Sequence, residues 1–355
     1  MFVEHYGLTG HPFQLTPDPS FFFGSTVHNR VKSYLTYGIA QGEGFVIVTG
    51  DVGAGKTTLV GHLLDTLDPA RFRSAKIVTS QLGADDTLRM VATAFGVQYP
   101  RDAGKAELLT ILGDFLAERQ RAGQRCLLVA DECQNLPFEA LEELRMLSNL
   151  SVEGAPALQT LLVGQPQFRT TLAGSNLEQL RQRVIASCHL GPIDATEIEG
   201  YILYRMKAVG WQRNPAFTAD VFDAIHRHTG GVPRRVNVLC SRILLFGCLE
   251  DRTLIDAQAV DEVAEDMEAE GESVLDREGA ARRALVPRNG HGNGHGPLAP
   301  AAEGDIVTLL ESLEGRLSAL EDCARRHDRM FRRTLTTLSE NLEDFIEGMR
   351  PRTPS

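Results

Sequence analysis

Residues Gly50-Asp51-Val52-Gly53-Ala54-Gly55-Lys56-Thr57-Thr58 carry the spacing G-x-x-x-x-G-K-[ST]. Glycines at those positions let successive backbone N–H groups turn inward around phosphate oxygens. Lys56 then supplies a point charge at the β- and γ-phosphates, and Thr57 offers a hydroxyl to Mg²⁺. A second group lies 75 residues beyond Lys56, where the apolar run Leu127-Leu128-Val129-Ala130 ends in Asp131-Glu132. There Asp131 suits a Mg²⁺ ion held through water, and Glu132 suits a water to be oriented and polarised. An acid beside the metal's acid favours hydrolysis over transfer to a bound substrate, because it gives water a positioned partner. The implied chemistry is Mg²⁺-dependent hydrolysis of ATP, with Thr57 and Asp131 as the metal-side residues.

Both groups need a scaffold that brings strand ends together. Short apolar runs at 44–49, 75–79, 126–130, 159–163 and 184–190 alternate with helical patterns. Such runs, bounded by turn residues and separated by helices, predict a mostly parallel sheet covered on both faces. The glycine-rich turn follows the first run and opens a helix over 57–67, whose positive end faces the anion. Leu59, Leu63, Leu64 and Leu67 give that helix its buried side. Asp131-Glu132 end the third run, at the sheet edge where ligands of such sheets bind.

Further polar residues fall at matching places. Gln165 follows the fourth run and fits either a turn or a contact with the γ-phosphate or the water. Arg181 and Arg183 close a helix before the last run, where Arg183 is expected to reach the phosphates of a neighbouring subunit, with Arg181 as the alternative. Gly230-Gly231-Val232-Pro233-Arg234-Arg235 opens another helix abruptly. A cation in a first turn opposes the helix dipole, so Arg234 points to another partner such as a phosphate.

The chain has 355 residues and a net charge of −11, with 36 basic and 47 acidic side chains. Between Asp251 and Glu278 there are eleven acids against two arginines, so the remainder is near neutral. That argues against a generally basic nucleic-acid binder. No run is apolar enough to span a membrane, the N-terminus lacks the charged and apolar regions of a signal peptide, and the six cysteines form no C-x-x-C. A reduced, cytoplasmic protein is expected, peripheral to the inner membrane only through a partner.

Five zones are expected. Residues 1–43 are aromatic and turn-rich, with Pro12, Pro17 and Pro19 breaking any long helix, and are expected to pack on the ATPase core; Phe13, Phe21, Phe22 and Phe23 read first as core residues, with 12–28 wrapping the nucleotide base as the alternative. Residues 44–192 form the sheet domain. Residues 193–270 read as amphipathic helices at 194–209, 218–229, 232–249 and 256–269, the first with Ile198, Tyr201, Ile202, Arg205 and Met206 at helical spacing. Residues 271–303 read as a flexible linker, in which His291 and His295 lie in glycine and do not preorganise a metal site. Residues 304–349 repeat apolar positions every three or four, from Ile306 through Leu335 to Met349, with His327 interrupting the seam. That is the pattern of a coiled-coil-like helix that self-associates or docks a client.

The order of these motifs resembles the AAA+ class of P-loop ATPases. Gly231-Val232-Pro233-Arg234 is similar to its sensor-2 element, and Gln165 stands at its sensor-1 position. A closer resemblance is to the general secretion pathway protein A (ExeA-like) group. It rests on Tyr6-Gly7-Leu8, His11-Pro12-Phe13, Leu15-Thr16-Pro17-Asp18-Pro19, Asp131-Glu132-Cys133-Gln134-Asn135-Leu136, Leu162-Val163-Gly164-Gln165-Pro166 and Gln182-Arg183. It covers about residues 1–268. Within the group, the length is similar to ATPases of exosortase (PEP-CTERM) and exopolysaccharide loci. The resemblance implies an αβα sandwich with a five-stranded parallel sheet and a helical lid. It also implies a homo-oligomer and ATP-driven work on a protein client in a secretion or export machine. A related branch of transposition ATPases binds DNA. The arginines at 325, 326, 329, 332 and 333 keep that alternative open.

Overall fold

The computed structural model describes residues 1–78, 84–152 and 154–284. The predicted seam over 304–349 and the histidine-glycine stretch of the linker lie outside the described residues.

Five strands form one parallel sheet: β1 (Phe45–Gly50), β2 (Phe72–Val78), β3 (Arg125–Asp131), β4 (Leu158–Gly164) and β5 (Val184–Leu190). Their order is β2-β3-β4-β1-β5. The three inner strands are buried along their length, save Arg125 at the start of β3, whereas β2 and β5 at the edges alternate buried and exposed positions. That difference follows from cover: an inner strand of a parallel sheet is packed on both faces, an edge strand is not. Successive residues of β1 serve opposite layers. Phe45 and Ile47 join a core with Leu88, Leu112 and Leu144, while Val46 and Val48 join one with Leu35, Leu59 and Leu63.

The register fixes what lies at each edge. Phe45 of β1 pairs with Val184 of β5, and Gly50 pairs with Leu190. The glycine-rich turn therefore leaves the carboxyl edge of the sheet, and Arg183 precedes the amino edge.

After β5 the chain enters four helices, Ala195–Ala208, Val221–Thr229, Pro233–Leu249 and Ala257–Ala284. A short parallel pairing of Ala216–Phe217 with Leu254–Ile255 joins them. The last helix runs into the stretch that reads as linker, because 271–284 is rich in alanine, glutamate and arginine, which favour helix despite two glycines. Where sheet and lid meet, the Ile193 N–H donates to the Gly231 carbonyl at 2.9 Å. Gly231 has φ of +70°, and a Cβ there would lie 2.1 Å from the Ile193 carbonyl oxygen, so only glycine fits.

The N-terminal segment corrects two expectations. It contains a sixteen-residue helix, Thr26–Gln41, which begins seven residues beyond the last proline of the turn-rich stretch. The Ser25 side chain caps it by accepting from the His28 N–H. Secondly, the segment before that helix does not pack chiefly on the ATPase core. Tyr6, Leu8 and Phe13 are buried in the lid's core with Ile198, Met206 and Leu244. Phe22 alone of the phenylalanine run turns to the sheet domain, stacking on His62 with ring centroids 4.2 Å apart. The amphipathic lid helices offer the apolar surface that these side chains cover. Among the described residues no helix is long and apolar enough to cross a membrane.

Candidate functional site

The loop 50–55 turns back over the start of the helix Lys56–Asp65, which Gly55 opens with φ of +93°. Lys56 is buried, with its Nζ donating to the carbonyls of Gly50 at 2.7 Å and Asp51 at 2.9 Å. Burial pushes its pKa down, against the charges of Glu132, Asp131 and Asp51, which push it up. His28 stands behind the loop, with Nδ1 2.7 Å from Ser25 Oγ. Burial pushes its pKa below the usual imidazole value, which favours the neutral ring beside the loop.

The carboxyl end of β3 brings the acids to this loop. Thr57 Oγ1 donates to Asp131 Oδ2 at 3.1 Å, so the two predicted metal-side residues meet directly. A hydroxyl and a carboxylate beside a phosphate-binding turn are hard oxygen donors of the kind Mg²⁺ takes, so the residues present fit that ion. Lys76 Nζ of β2 lies 2.9 Å from the same Asp131 oxygen.

Glu132 adopts φ of +57°. Its Oε2 accepts from Gln134 Nε2 at 2.6 Å and from Gln165 Nε2 at 3.4 Å. Gln134 Oε1 in turn accepts from the Gln165 N–H at 3.0 Å. One amide thus bridges the end of β3 to the end of β4.

The lid closes the site from above. The Arg234 N–H donates to the Gly53 carbonyl at 3.1 Å, and a Cβ on Gly53 would lie 2.4 Å from Arg234 Cβ. Loop, acids, lid and N-terminal segment enclose a cavity of about 320 Å³. Gly53, Gly55, Lys56, Thr57, Thr58, Glu132, Gln165 and Arg234 line it, with Val52 exposed at its rim. Leu15, Pro17 and Phe21 through Phe23 form the other wall, where the base of a nucleotide was expected. Its size suits a ligand of nucleotide dimensions.

Of the predicted residues, Gly50, Asp51, Ala54 and Asp131 do not line this cavity themselves, although Asp131 is bonded to Thr57, which does, and Arg183 lies apart from it. That arginine lies beside a groove with Gly44 and Ile185 at the amino edge, its Nη1 3.4 Å from the Ser148 carbonyl. Arg181 Nη1 is committed to the carbonyls of Leu172 at 2.7 Å and Gly174 at 2.6 Å.

Three neighbours escaped sequence reasoning. Lys76 reaches Asp131 only through the pairing of Val78 with Asp131, which no local pattern announces. Gln134 carried a visible signal, an amide two residues past the acids. Arg205 did too, as a charge within an apolar helical stripe.

A family model described as "AAA domain" matches residues 39–172. The chain is 36% identical over 245 residues to General secretion pathway protein A of Aeromonas hydrophila, covering 69% of this chain and 44% of that protein. It therefore spans less than half the length of that relative. A second relative, Holliday junction branch migration complex subunit RuvB of Paramagnetospirillum magneticum, is 23% identical over 345 residues, covering 92% of this chain and 80% of that one. Among solved structures, the ORC2 protein of Aeropyrum pernix superimposes with a TM-score of 0.57 at 16% identity, covering 72% of this chain and 71% of that one.

Proposed function

We propose that this chain, an ATPase with the P-loop AAA+ fold, hydrolyses ATP in a Mg²⁺-dependent reaction shared between subunits, and that it drives or regulates assembly of a secretion or exopolysaccharide export machine. The observation that carries the chemistry is the meeting of Lys56, Thr57, Glu132 and Gln165 around one cavity, with Asp131 bonded to Thr57 behind it. Mg²⁺, when bound, neutralises charge on the β- and γ-phosphate oxygens. Thr57 and Asp131 would hold that ion. Lys56 leaves its loop carbonyls to meet phosphate oxygens. Glu132 orients the attacking water, and Gln165, on the adjacent strand end, holds the Glu132 carboxylate or touches the γ-phosphate. Arg234, in the first turn of its helix, faces the same phosphates and couples their presence to the lid. Arg183 serves a neighbouring subunit.

Gln134 sets the direction in which Glu132 points. Gln134→Ala is expected to leave the KM for ATP unchanged and to lower kcat by roughly tenfold, the value of one hydrogen bond to a charged group. Steady-state ATPase assays over a range of ATP read both numbers. A raised kcat would mean that the bridge restrains Glu132 instead of aiming it.

The client reading draws on the secretion-pathway relative, at 36% identity over 69% of this chain. The affinity for exosortase (PEP-CTERM) loci is a finer proposal, resting on the resemblance of length. Location in the cytoplasm, with attachment to the inner membrane through a partner, belongs to the same proposal. A second reading, a DNA-dependent ATPase, draws on the five arginines over 325–333 and on the RuvB relative. Duplex DNA separates the two. We expect no shift of the DNA and no rise in ATPase rate at physiological salt. A shift whose affinity falls steeply with log salt, together with DNA-stimulated turnover, would overturn the export reading.

A further inference from the structure

Arg205 lies on the lid helix Ala195–Ala208 and is 6% exposed. Its Nε donates to the Pro12 carbonyl at 2.9 Å, and its Nη1 donates to Tyr201 Oη at 2.9 Å and Asn237 Oδ1 at 3.1 Å. Tyr201 Oη also donates to Asn237 Oδ1 at 2.7 Å. The guanidinium lies over the Phe21 ring, 4.9 Å from its centroid. Every one of these partners is uncharged. Asp18 is the acid that feels Arg205, and it is already engaged by Ser20 and Gln14. None of the bonds uses Nη2.

A guanidinium keeps its charge at any ordinary pH, and burying it without a counter-charge is destabilising. A residue needed only to tie the N-terminal segment to the lid has no need of a charge. Asp18 meets part of that charge, but its hydrogen bonds go to Ser20 and Gln14, so the Nη2 edge is left for a ligand's anion. Arg205, Tyr201 and Asn237 line the cavity that holds the phosphate-binding loop. Asn237 stands one turn beyond Arg234, whose backbone touches Gly53.

We propose that Arg205 is an anion-binding residue for the phosphate chain of the nucleotide, acting through its free Nη2 edge. The inference rests on the nucleotide reading of this cavity. Because the same guanidinium holds the Pro12 carbonyl, the bound phosphate also fastens the N-terminal segment over the ligand. Arg205 is thus a second lid arginine, distinct in place from Arg234, that reports phosphate to the arm and not to the loop.

The test compares ADP with adenosine, which shares the base and sugar and lacks the phosphates. Calorimetric titrations use the full-length wild type, Arg205→Met and Arg205→Lys. Arg205→Met is expected to weaken ADP by roughly 10- to 100-fold, as loss of a charge-assisted hydrogen bond does, and adenosine by less than about threefold. Thermal melting without ligand should show a loss for Arg205→Met, because the Pro12 carbonyl and Asn237 Oδ1 lose a donor, and the ADP-induced rise in Tm should shrink as well. Arg205→Lys keeps the charge and loses the fork, so it covers failure of the methionine variant to fold. Its ADP deficit should exceed its adenosine deficit. Equal deficits for the two ligands, or an unchanged ADP affinity, overturn the assignment. A wild type that binds no ADP would instead remove the nucleotide reading itself.

Discussion

Replacing Lys56 with alanine is expected to abolish ATP binding, whereas Glu132→Gln is expected to keep ATP and stop turnover. The two losses have different causes. Lys56 is the buried cation of the loop, and two carbonyls, of Gly50 and Asp51, are turned toward it. Alanine leaves those oxygens unpaired in the site that must accept phosphate, so attraction is replaced by repulsion. Glu132→Gln preserves shape. The new amide oxygen can still accept from Gln134 and Gln165, which hold the carboxylate now. It cannot polarise water, a role that contributes on the order of 10² to 10⁴ in rate. Equilibrium binding of labelled ATP and phosphate release, measured on both purified variants, separate the effects. Unchanged hydrolysis by Glu132→Gln would remove Glu132 from the mechanism, and retained ATP binding by Lys56→Ala would displace the loop as the phosphate site.

The second large effect is expected from Arg183→Ala, a loss on the order of 10³ in kcat, the scale of arginines that act across an interface. The register sets the argument. Val184 pairs with Phe45 and Leu190 with Gly50, so Arg183 and the glycine-rich turn leave opposite edges of the sheet. Five residues of strand separate Phe45 from Gly50, about 17 Å at the usual rise. A side chain at the amino edge does not span that distance to its own Lys56, so a phosphate met by Arg183 would have to belong to another copy. Mixing Arg183→Ala with Glu132→Gln subunits should then restore part of the activity, since some interfaces combine an intact arginine with an intact glutamate. No recovery, with a wild-type specific activity independent of protein concentration, would return Arg183 to a structural role. Arg181 behaves differently: its bonds to Leu172 and Gly174 carbonyls make Arg181→Ala a test of local folding rather than of catalysis.

Much of this was legible in order along the chain. Each of the five strands announces itself as an apolar run, because inner strands of a parallel sheet are packed on both faces and need no alternation. The glycine-rich turn and Asp131-Glu132 are local in sequence and end on the same sheet edge, so spacing alone locates them. The packing of the N-terminal segment was not legible. Tyr6, Leu8 and Phe13 are apolar on any reading, and nothing in their spacing says whether a sheet or a helical layer receives them. Prolines at 12, 17 and 19 also masked the helix that begins at Thr26. Lys76 was invisible for a related reason, since contact across strands depends on register. Arg205 was visible as an anomaly, a charge in an apolar stripe, and only the cavity beside it gave the anomaly a use.

The placement of the first residues with the lid has a mechanical consequence. Counted by packing, the first residues belong to the lid, Phe22 touches the sheet domain at His62, the chain joins the sheet domain at Thr26, and it crosses back between Leu190 and Ile193. Each crossing is fastened on the spot: the Thr26 N–H and Oγ1 donate to Glu197 Oε1 at 2.8 and 3.0 Å, and Ile193 is bound to Gly231. A single covalent tether would let the lid swivel in any sense. Two tethers at separate points define an axis, as two pins do for a door. Such an axis would favour rotation of the lid about the line joining the crossings, so that a change at bound phosphates would reach the lid as a swing rather than a general loosening.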